Sequence, residues 1–191
     1  MGIGPCYSDK VKRVGIRIVD LINNRYDLRN RSSEFQEIIK QFKKEFTDRC
    51  IDTSEFINDA LDNNQKIILE GSQGAMLDID NGHYPYVTSS NTISGAACTG
   101  LGISPKKITN IILVACSYLT KVGGGPFPTI IKNKKIQTYL QEKGEEIDGA
   151  TKSLRTCGWL DLVMLRRAIK LNSPDGIILT KLDVLSGLKE I

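Results

Sequence analysis

The stretch IILVACSYLTK, residues 111–121, decides the fold of this chain. Its β-branched and aromatic content predicts a strand longer than the others. Two shorter apolar segments, residues 66–70 and 177–179, predict two further buried strands. Between and around these strands the apolar residues recur at three- and four-residue spacing, which predicts helices over 11–22, 32–46, 53–63, 159–169 and 184–191.

Short apolar strands that alternate with helices indicate an α/β fold, with a largely parallel sheet flanked by helices. We predict a single domain over residues 1–191, mainly helical over 1–65 and α/β over 66–191. The polar segment 144–158 carries no apolar period, so we expect it to be a mobile surface loop.

Composition narrows the classes of function. The chain has 191 residues, 40% of them hydrophobic and 25% charged, which is enough for a domain with a real core. The net charge of +4 is spread along the chain, so we expect no nucleic-acid partner. Five cysteines without CxxC spacing are typical of reduced thiols, and no apolar run has membrane-spanning length. We therefore expect a cytoplasmic protein that does not bind membranes.

The segments EGSQGAMLDID, residues 70–80, and YPYVTSSNT, residues 84–92, are dense in glycine, hydroxyl and amide groups. Such loops place neutral hydrogen-bond donors and backbone N–H groups around a polar, anionic ligand. The alternative is turn chemistry, in which Ser, Thr and Asn bond to their own backbone.

Two more segments resemble ligand loops. TKLD, residues 180–183, directly follows a strand, where ligands bind in open α/β sheets. Asp183 can accept hydrogen bonds from N1–H and the exocyclic amine of guanine, and the Lys181 stem can lie along the base; the alternative is a solvated strand end. VGGGPFPT, residues 122–129, lets backbone approach a ligand or forms a flexible hairpin, and the sequence alone does not separate these.

These four segments, together with GIGPCYSDKV at residues 2–11, resemble adenylosuccinate synthetase in the order of that family. The family joins IMP to aspartate at the expense of GTP. The resemblance implies an incomplete adenylosuccinate synthetase-like fold, related to the P-loop GTPases. It covers the central portion of the family's enzyme, without the N-terminal phosphate-loop part and the C-terminal part.

The resemblance also implies site residues. Gln73 and Thr88 match positions that contact IMP, and Val122 borders the same nucleotide. Arg13 matches an arginine that reaches across a two-fold interface to the IMP phosphate of the partner, which implies a homodimer; a solvated basic helix face is the alternative. Lys181 and Asp183 match the residues that recognise the guanine of GTP.

The chain departs from the family in an arginine-rich loop that grips aspartate and the nucleotide. Residues 149–159 keep one arginine, Arg155, while Ser153 and Leu154 stand where arginines are expected. Each lost charge-assisted bond weakens binding by about 1.5–3 kcal/mol, which puts L-aspartate binding in question. Of the two ligands that this loop contacts in the family, Arg155 is expected to contact GTP.

The chain contains no GxxxxGK[ST] motif, and the one histidine, His83, does not match the family's catalytic histidine. GTP and Mg²⁺ are implied by the family, but its catalytic Asp and His and most of the Mg²⁺ site fall outside the resemblance. We therefore assign no catalytic and no metal residue. We expect the chain to be inactive alone, unless a second chain complements the N-terminal part; the alternative is a non-catalytic remnant that binds nucleotide or dimerises.

Overall fold

The computed structural model describes residues 2–29, 32–149 and 152–190. The chain divides into two compact units, Met1–Ile68 and Leu69–Ile191. The prediction that they form a single domain stays a prediction.

The regular elements of the first unit are helices: α1 (Ile3–Lys12), α2 (Ile18–Ile22), α3 (Ser33–Phe46) and α4 (Thr53–Asp62), with a 3-10 turn at Thr47–Arg49. The predicted helices at 32–46 and 53–63 are confirmed. The Ser32 hydroxyl accepts a hydrogen bond from Phe35 N at 3.2 Å, and the Asp52 carboxylate accepts from Ser54 N at 3.0 Å. Both side chains satisfy backbone donors that a helix N-terminus leaves open.

The continuous helix predicted over residues 11–22 is wrong. Helix α1 ends at Lys12 because Arg13 adopts a left-handed conformation with φ 63°. The backbone N–H groups of Val14 and Gly15 both turn back to the carbonyl of Asp9, at 3.0 and 3.2 Å. This is how a helix C-terminus closes, and the apolar spacing that continues beyond it belongs to α2.

The second unit carries four strands: β1 (Ile112–Cys116), β2 (Tyr118–Lys121), β3 (Thr156–Trp159) and β4 (Gly176–Thr180). Its helices are α5 (Gly95–Leu101), α6 (Lys134–Lys143) and α7 (Leu162–Asn172), with 3-10 turns at Ala75–Leu77, Pro105–Lys107 and Asp183–Leu185. Strands β1 and β4 pair in parallel, with Val114 opposite Ile178, which together with the helices confirms the α/β prediction. Strands β2 and β3 pair antiparallel, with Tyr118 opposite Trp159.

The single long strand predicted over 111–121 is divided at Ser117. Its backbone N–H bonds to Thr180 O at 2.9 Å, at the end of the β1–β4 ladder. Beyond this point the chain bends and pairs with β3 instead. One apolar run therefore serves two different sheets.

Other expectations were also wrong. In the described residues, 66–70 pairs with no strand, and Ile68 is 94% exposed. The predicted strand at 177–179 exists but is not buried, since Ile178 is 53% exposed. The segment 144–158 is not simply a surface loop, because Cys157 lies in β3 and is fully buried. The predicted terminal helix is only the 3-10 turn Asp183–Leu185 within the described residues.

The main core of the second unit lies beneath α6 and the β2–β3 pair. Six buried residues form it: Tyr118, Ile131, Leu140, Cys157, Val184 and Leu185. Burial, followed by the charge of Glu146, raises the pKa of Cys157 to about 11. Because Val184 and Leu185 directly follow the TKLD segment, the core fixes the end of that candidate ligand loop.

Candidate functional site

A fully buried carboxylate, Asp78, joins the two polar loops that the sequence singled out. Its Oδ1 accepts hydrogen bonds from the backbone N–H groups of Asp80 and Asn81, both at 3.0 Å. Its Oδ2 accepts from the backbone N–H groups of Thr92 at 2.6 Å and Ile93 at 3.3 Å. We call residues 69–94 the Asp78 loops, since one side chain ties both turns together.

Gln73 and Thr88, the predicted IMP contacts, both lie on the Asp78 loops. The Thr88 N–H donates to Leu77 O at 2.8 Å, and the Thr92 hydroxyl donates to Gly74 O at 2.7 Å. Gln73 is exposed and adopts φ 61°. The structure therefore brings these two residues onto one cross-linked platform, with Gln73 open to solvent.

The charge of Asp78 is set by two opposing effects. Burial alone would raise the pKa of this carboxyl, but hydrogen bonds from the backbones of Thr92, Asn81 and Asp80 favour the ionised form. The net effect holds the pKa of Asp78 well below its ordinary value of 3.8. Asp78 is therefore a structural anion rather than a proton donor.

This shift predicts acid sensitivity. A carboxylate whose pKa is lower in the folded than in the unfolded chain stabilises the fold above its unfolded pKa, and the stabilisation is lost as pH falls through the folded pKa. Below about pH 4, urea midpoints of the chain should fall more steeply than those of Asp78→Asn, which cannot titrate there. If the urea midpoints of the two proteins fell equally with pH, the titration of Asp78 would not contribute to the acid sensitivity.

The glycine loop that starts at Val122 is attached to the Asp78 loops through Tyr86. Gly125 has φ 96°, and a Cβ at this position would lie 2.6 Å from the Tyr86 ring. Only glycine therefore fits here without a steric clash. Lys121 Nζ stands 5.6 Å from the centre of that ring and donates to Pro126 O at 2.9 Å. Val122 is 43% exposed beside this contact. All three predicted IMP residues of the second unit thus lie on connected loops.

A second buried carboxylate gathers two of the predicted GTP residues. The Glu146 side chain is 2% exposed, and its Oε1 accepts a hydrogen bond from the Tyr118 hydroxyl at 2.5 Å. The same oxygen forms an ion pair with Lys181 Nζ, and Oε2 lies 3.8 Å from a guanidinium nitrogen of Arg155. We call Tyr118, Glu146, Arg155 and Lys181 the Glu146 cluster.

The backbone of Lys181 is held at the carboxyl end of the parallel pair β1–β4. It adopts φ 60°, and its carbonyl accepts a hydrogen bond from the Ser117 hydroxyl at 2.9 Å. Asp183 begins the 3-10 turn that follows and is exposed. Lys181 is therefore fixed while the Asp183 carboxylate remains open, at the sheet edge where α/β proteins bind ligands.

Strand β2 connects the two groups of residues. Tyr118 of the Glu146 cluster begins this strand, and Val122 directly follows its last residue, Lys121. Four residues of extended chain span about 13 Å. The two candidate subsites are therefore separated by one short, hydrogen-bonded strand.

Arg13 is the remaining predicted IMP residue. It lies in the first unit, as the exposed residue that ends α1.

The arginine-poor loop around Arg155 differs from a site that binds a dicarboxylate. The guanidinium of Arg155 faces carboxylates of its own chain, Glu146 at 3.8 Å and Asp148 at 4.0 Å.

The described residues contain no group of three or more His, Cys, Asp or Glu side chains placed to hold a metal ion. None of the helices in the described ranges combines the length and apolar character needed to cross a bilayer.

Sequence reasoning missed Asp78, Glu146 and Tyr118. The pattern around Asp78, in LDIDNG, contains a signal, because an aspartate before polar turn residues often bonds to backbone N–H groups two and three residues ahead. For Glu146 the sequence offers no comparable signal. Its side-chain partners Tyr118 and Lys181 are 28 and 35 residues away in the sequence.

Comparisons with known proteins show which family this chain resembles. A family model described as adenylosuccinate synthetase matches residues 1–191. The adenylosuccinate synthetase of Plasmodium vivax is 50% identical over 207 residues, covering 100% of this chain and 47% of the relative. That of Thermodesulfovibrio yellowstonii is 43% identical over 212 residues, covering 100% of this chain and 49% of the relative.

A solved structure shows the same likeness. The structure of the fully ligated adenylosuccinate synthetase from Plasmodium falciparum matches with a TM-score of 0.90 and 45% identity. The match covers 100% of this chain and 49% of that one. The chain thus spans about half the length of the curated relatives it matches.

Proposed function

The chain belongs to the adenylosuccinate synthetase family, and we propose from that premise that it holds IMP and the guanine base of GTP for the ligation of IMP to L-aspartate. The observation that carries the proposal is the pair of loops fixed by the buried Asp78 carboxylate, because they present Gln73 and Thr88 from one platform. The reaction belongs to purine biosynthesis, and the cytoplasm stays the predicted location.

On the IMP side, the chain contributes neutral polar groups. The Gln73 amide and the Thr88 hydroxyl can bond to ribose or phosphate oxygens without a fixed charge of their own. Val122 borders the nucleotide at the glycine loop. Rigid cross-linking by Asp78 supports this role, since loops that are ordered before binding lose less entropy when the ligand arrives.

On the GTP side, Asp183 provides base specificity and Lys181 an apolar stem beside the base. The exposed Asp183 carboxylate can accept both donors of the guanine edge, whereas adenine offers no such pair. Arg155 is proposed to keep a role toward the nucleotide. GTP is the implied energy donor, and the family implies Mg²⁺ together with it.

The Arg13 prediction becomes a proposal about assembly. A guanidinium is suited to bidentate contact with phosphate, so Arg13 of one protomer would complete the IMP site of its partner in a homodimer. Sedimentation of the chain with and without IMP measures this. A monomer under both conditions would contradict the proposal.

Isothermal titration tests the nucleotide sites directly. We expect the full chain to bind IMP and GDP as two independent ligands. Thr88→Val should weaken IMP binding by about fivefold and leave GDP binding unchanged, because one neutral hydrogen bond contributes roughly 1 kcal/mol. Ser90→Ala on the same loop is the matched control. A folded chain that binds neither ligand would refute the proposed function.

A second candidate function is a nucleotide-binding module without ligase activity. The observation in its favour is Arg155, whose guanidinium faces Glu146 and Asp148 rather than an open dicarboxylate site. The 191 residues also contain no phosphate-loop motif. A coupled assay of a polypeptide of these residues with IMP, L-aspartate, GTP and Mg²⁺ separates the two functions. No turnover is expected unless a second chain supplies the missing parts, and clear turnover would overturn that expectation.

A further inference from the structure

We propose that Glu146 is a positioning residue for base recognition, which draws the Lys181 ammonium away from the base so that only the lysine stem faces it. The inference rests on the proposed guanine site. It concerns a residue that contacts no ligand itself and acts through Lys181.

The contacts of Lys181 Nζ support this role. The ammonium pairs with Glu146 Oε1 and donates to Gly144 O at 3.2 Å. It also stands 5.7 Å from the centre of the Tyr118 ring. The Lys181 side chain is 35% exposed. Its ammonium group is therefore bonded, while part of the side chain remains accessible. A lysine held in this way presents an apolar surface to a planar base.

Glu146 is itself fixed from a second side. The Tyr118 hydroxyl donates to its Oε1 at 2.5 Å, and this hydrogen bond adds to burial in raising the pKa of Tyr118. Gly144 permits the approach, since a Cβ there would overlap the Tyr118 hydroxyl. The carboxylate therefore has a defined place before any nucleotide arrives.

The alternative would be an untethered ammonium beside the base. A free lysine head is a mobile point charge that attracts any anion and loses rotamer entropy whenever it is ordered. Tethering removes that entropy cost from the binding step and leaves discrimination to Asp183. The expected signature is therefore a change in guanine affinity with no change in IMP affinity.

The test is a double-mutant cycle of Glu146→Gln and Lys181→Met in the full chain, with Kd values for GDP, ADP and IMP. Glu146→Gln keeps an oxygen acceptor for Tyr118 and removes the charge that holds Lys181. Glu146→Gln should weaken GDP binding about ten- to a hundredfold, which is the effect of losing one charge-assisted contact. IMP binding should stay within about threefold, since Gln73 and Thr88 lie on the Asp78 loops, across strand β2 from the Glu146 cluster. In the Lys181→Met background, Glu146→Gln should have no further effect on GDP.

Glu145→Gln is the matched control, since it removes an exposed carboxylate from the position directly before Glu146. It should leave the GDP affinity within about threefold of the wild type. Glu146→Asp retains the charge and should recover most of the GDP affinity, and it serves as the second variant should Glu146→Gln not fold. Additive losses in the cycle, or an unchanged GDP affinity in Glu146→Gln, would overturn the inference. Failure of the wild-type chain to bind GDP would instead refute the proposed function.

Discussion

Replacing Asp78 with alanine is expected to cost the second unit about 3–5 kcal/mol of unfolding free energy and to abolish IMP binding. The variant leaves the backbone N–H groups of Asp80, Asn81, Thr92 and Ile93 without their acceptor. These hydrogen bonds are partly buried, so each donor left without a partner costs at most about 1–3 kcal/mol, and relaxation of the loops recovers part of the sum. Urea unfolding followed by the fluorescence of Trp159, the one tryptophan of the chain, measures the loss in this unit.

Asp80→Ala is the control for this experiment. Asp80 is exposed, and its carboxylate accepts one side-chain hydrogen bond from Asn91 at 2.6 Å. Its removal should cost less than about 1 kcal/mol. Similar losses for the two variants would mean that Asp78 does not organise the loops. A stable Asp78→Ala that binds IMP normally would contradict the proposed role more strongly still.

The contrast between Asp78 and Asp80 shows what could be predicted from the sequence. The density of Gly, Ser, Thr and Asn in 70–92 predicted polar loops, and the structure has them. Which aspartate is buried could not be predicted, because both belong to the same DID triplet. The choice depends on the backbone N–H groups of Thr92 and Ile93, which are distant in sequence. Local patterns do not contain such long-range pairing.

The strands illustrate a similar limit. The apolar run at 111–121 predicted strand structure, but not that Ser117 would divide it between a parallel and an antiparallel pair. β3 was missed because its sequence, TCGW, is short and contains a glycine. It exists through pairing with β2, and Cys157 within it is fully buried. The TKLD motif, by contrast, was a local sequence pattern that predicted a ligand loop without any knowledge of the strand pairing.

The largest change in GDP binding is expected from Asp183→Asn. This variant should weaken GDP by about a hundredfold, because an amide has one acceptor oxygen and no charge to meet the two donors of the guanine edge. Xanthine carries a carbonyl oxygen where guanine carries its amino group, so the new amide N–H can donate to it. We therefore expect xanthosine diphosphate to bind better to the variant than to the wild type. Titration calorimetry with GDP, xanthosine diphosphate and ADP measures all three.

The matched control is Glu190→Gln, which removes one carboxylate charge from an exposed position in the same terminal segment. It should leave the GDP affinity within about twofold, since exposed charges contribute little. IMP affinity should be unchanged in both variants, because Gln73 and Thr88 depend on Asp78 rather than on the TKLD turn. If GDP and ADP affinities fell equally, Asp183 would not distinguish guanine from adenine. The guanine assignment would then fail, whereas the IMP assignment to the Asp78 loops would still have to be tested on its own residues.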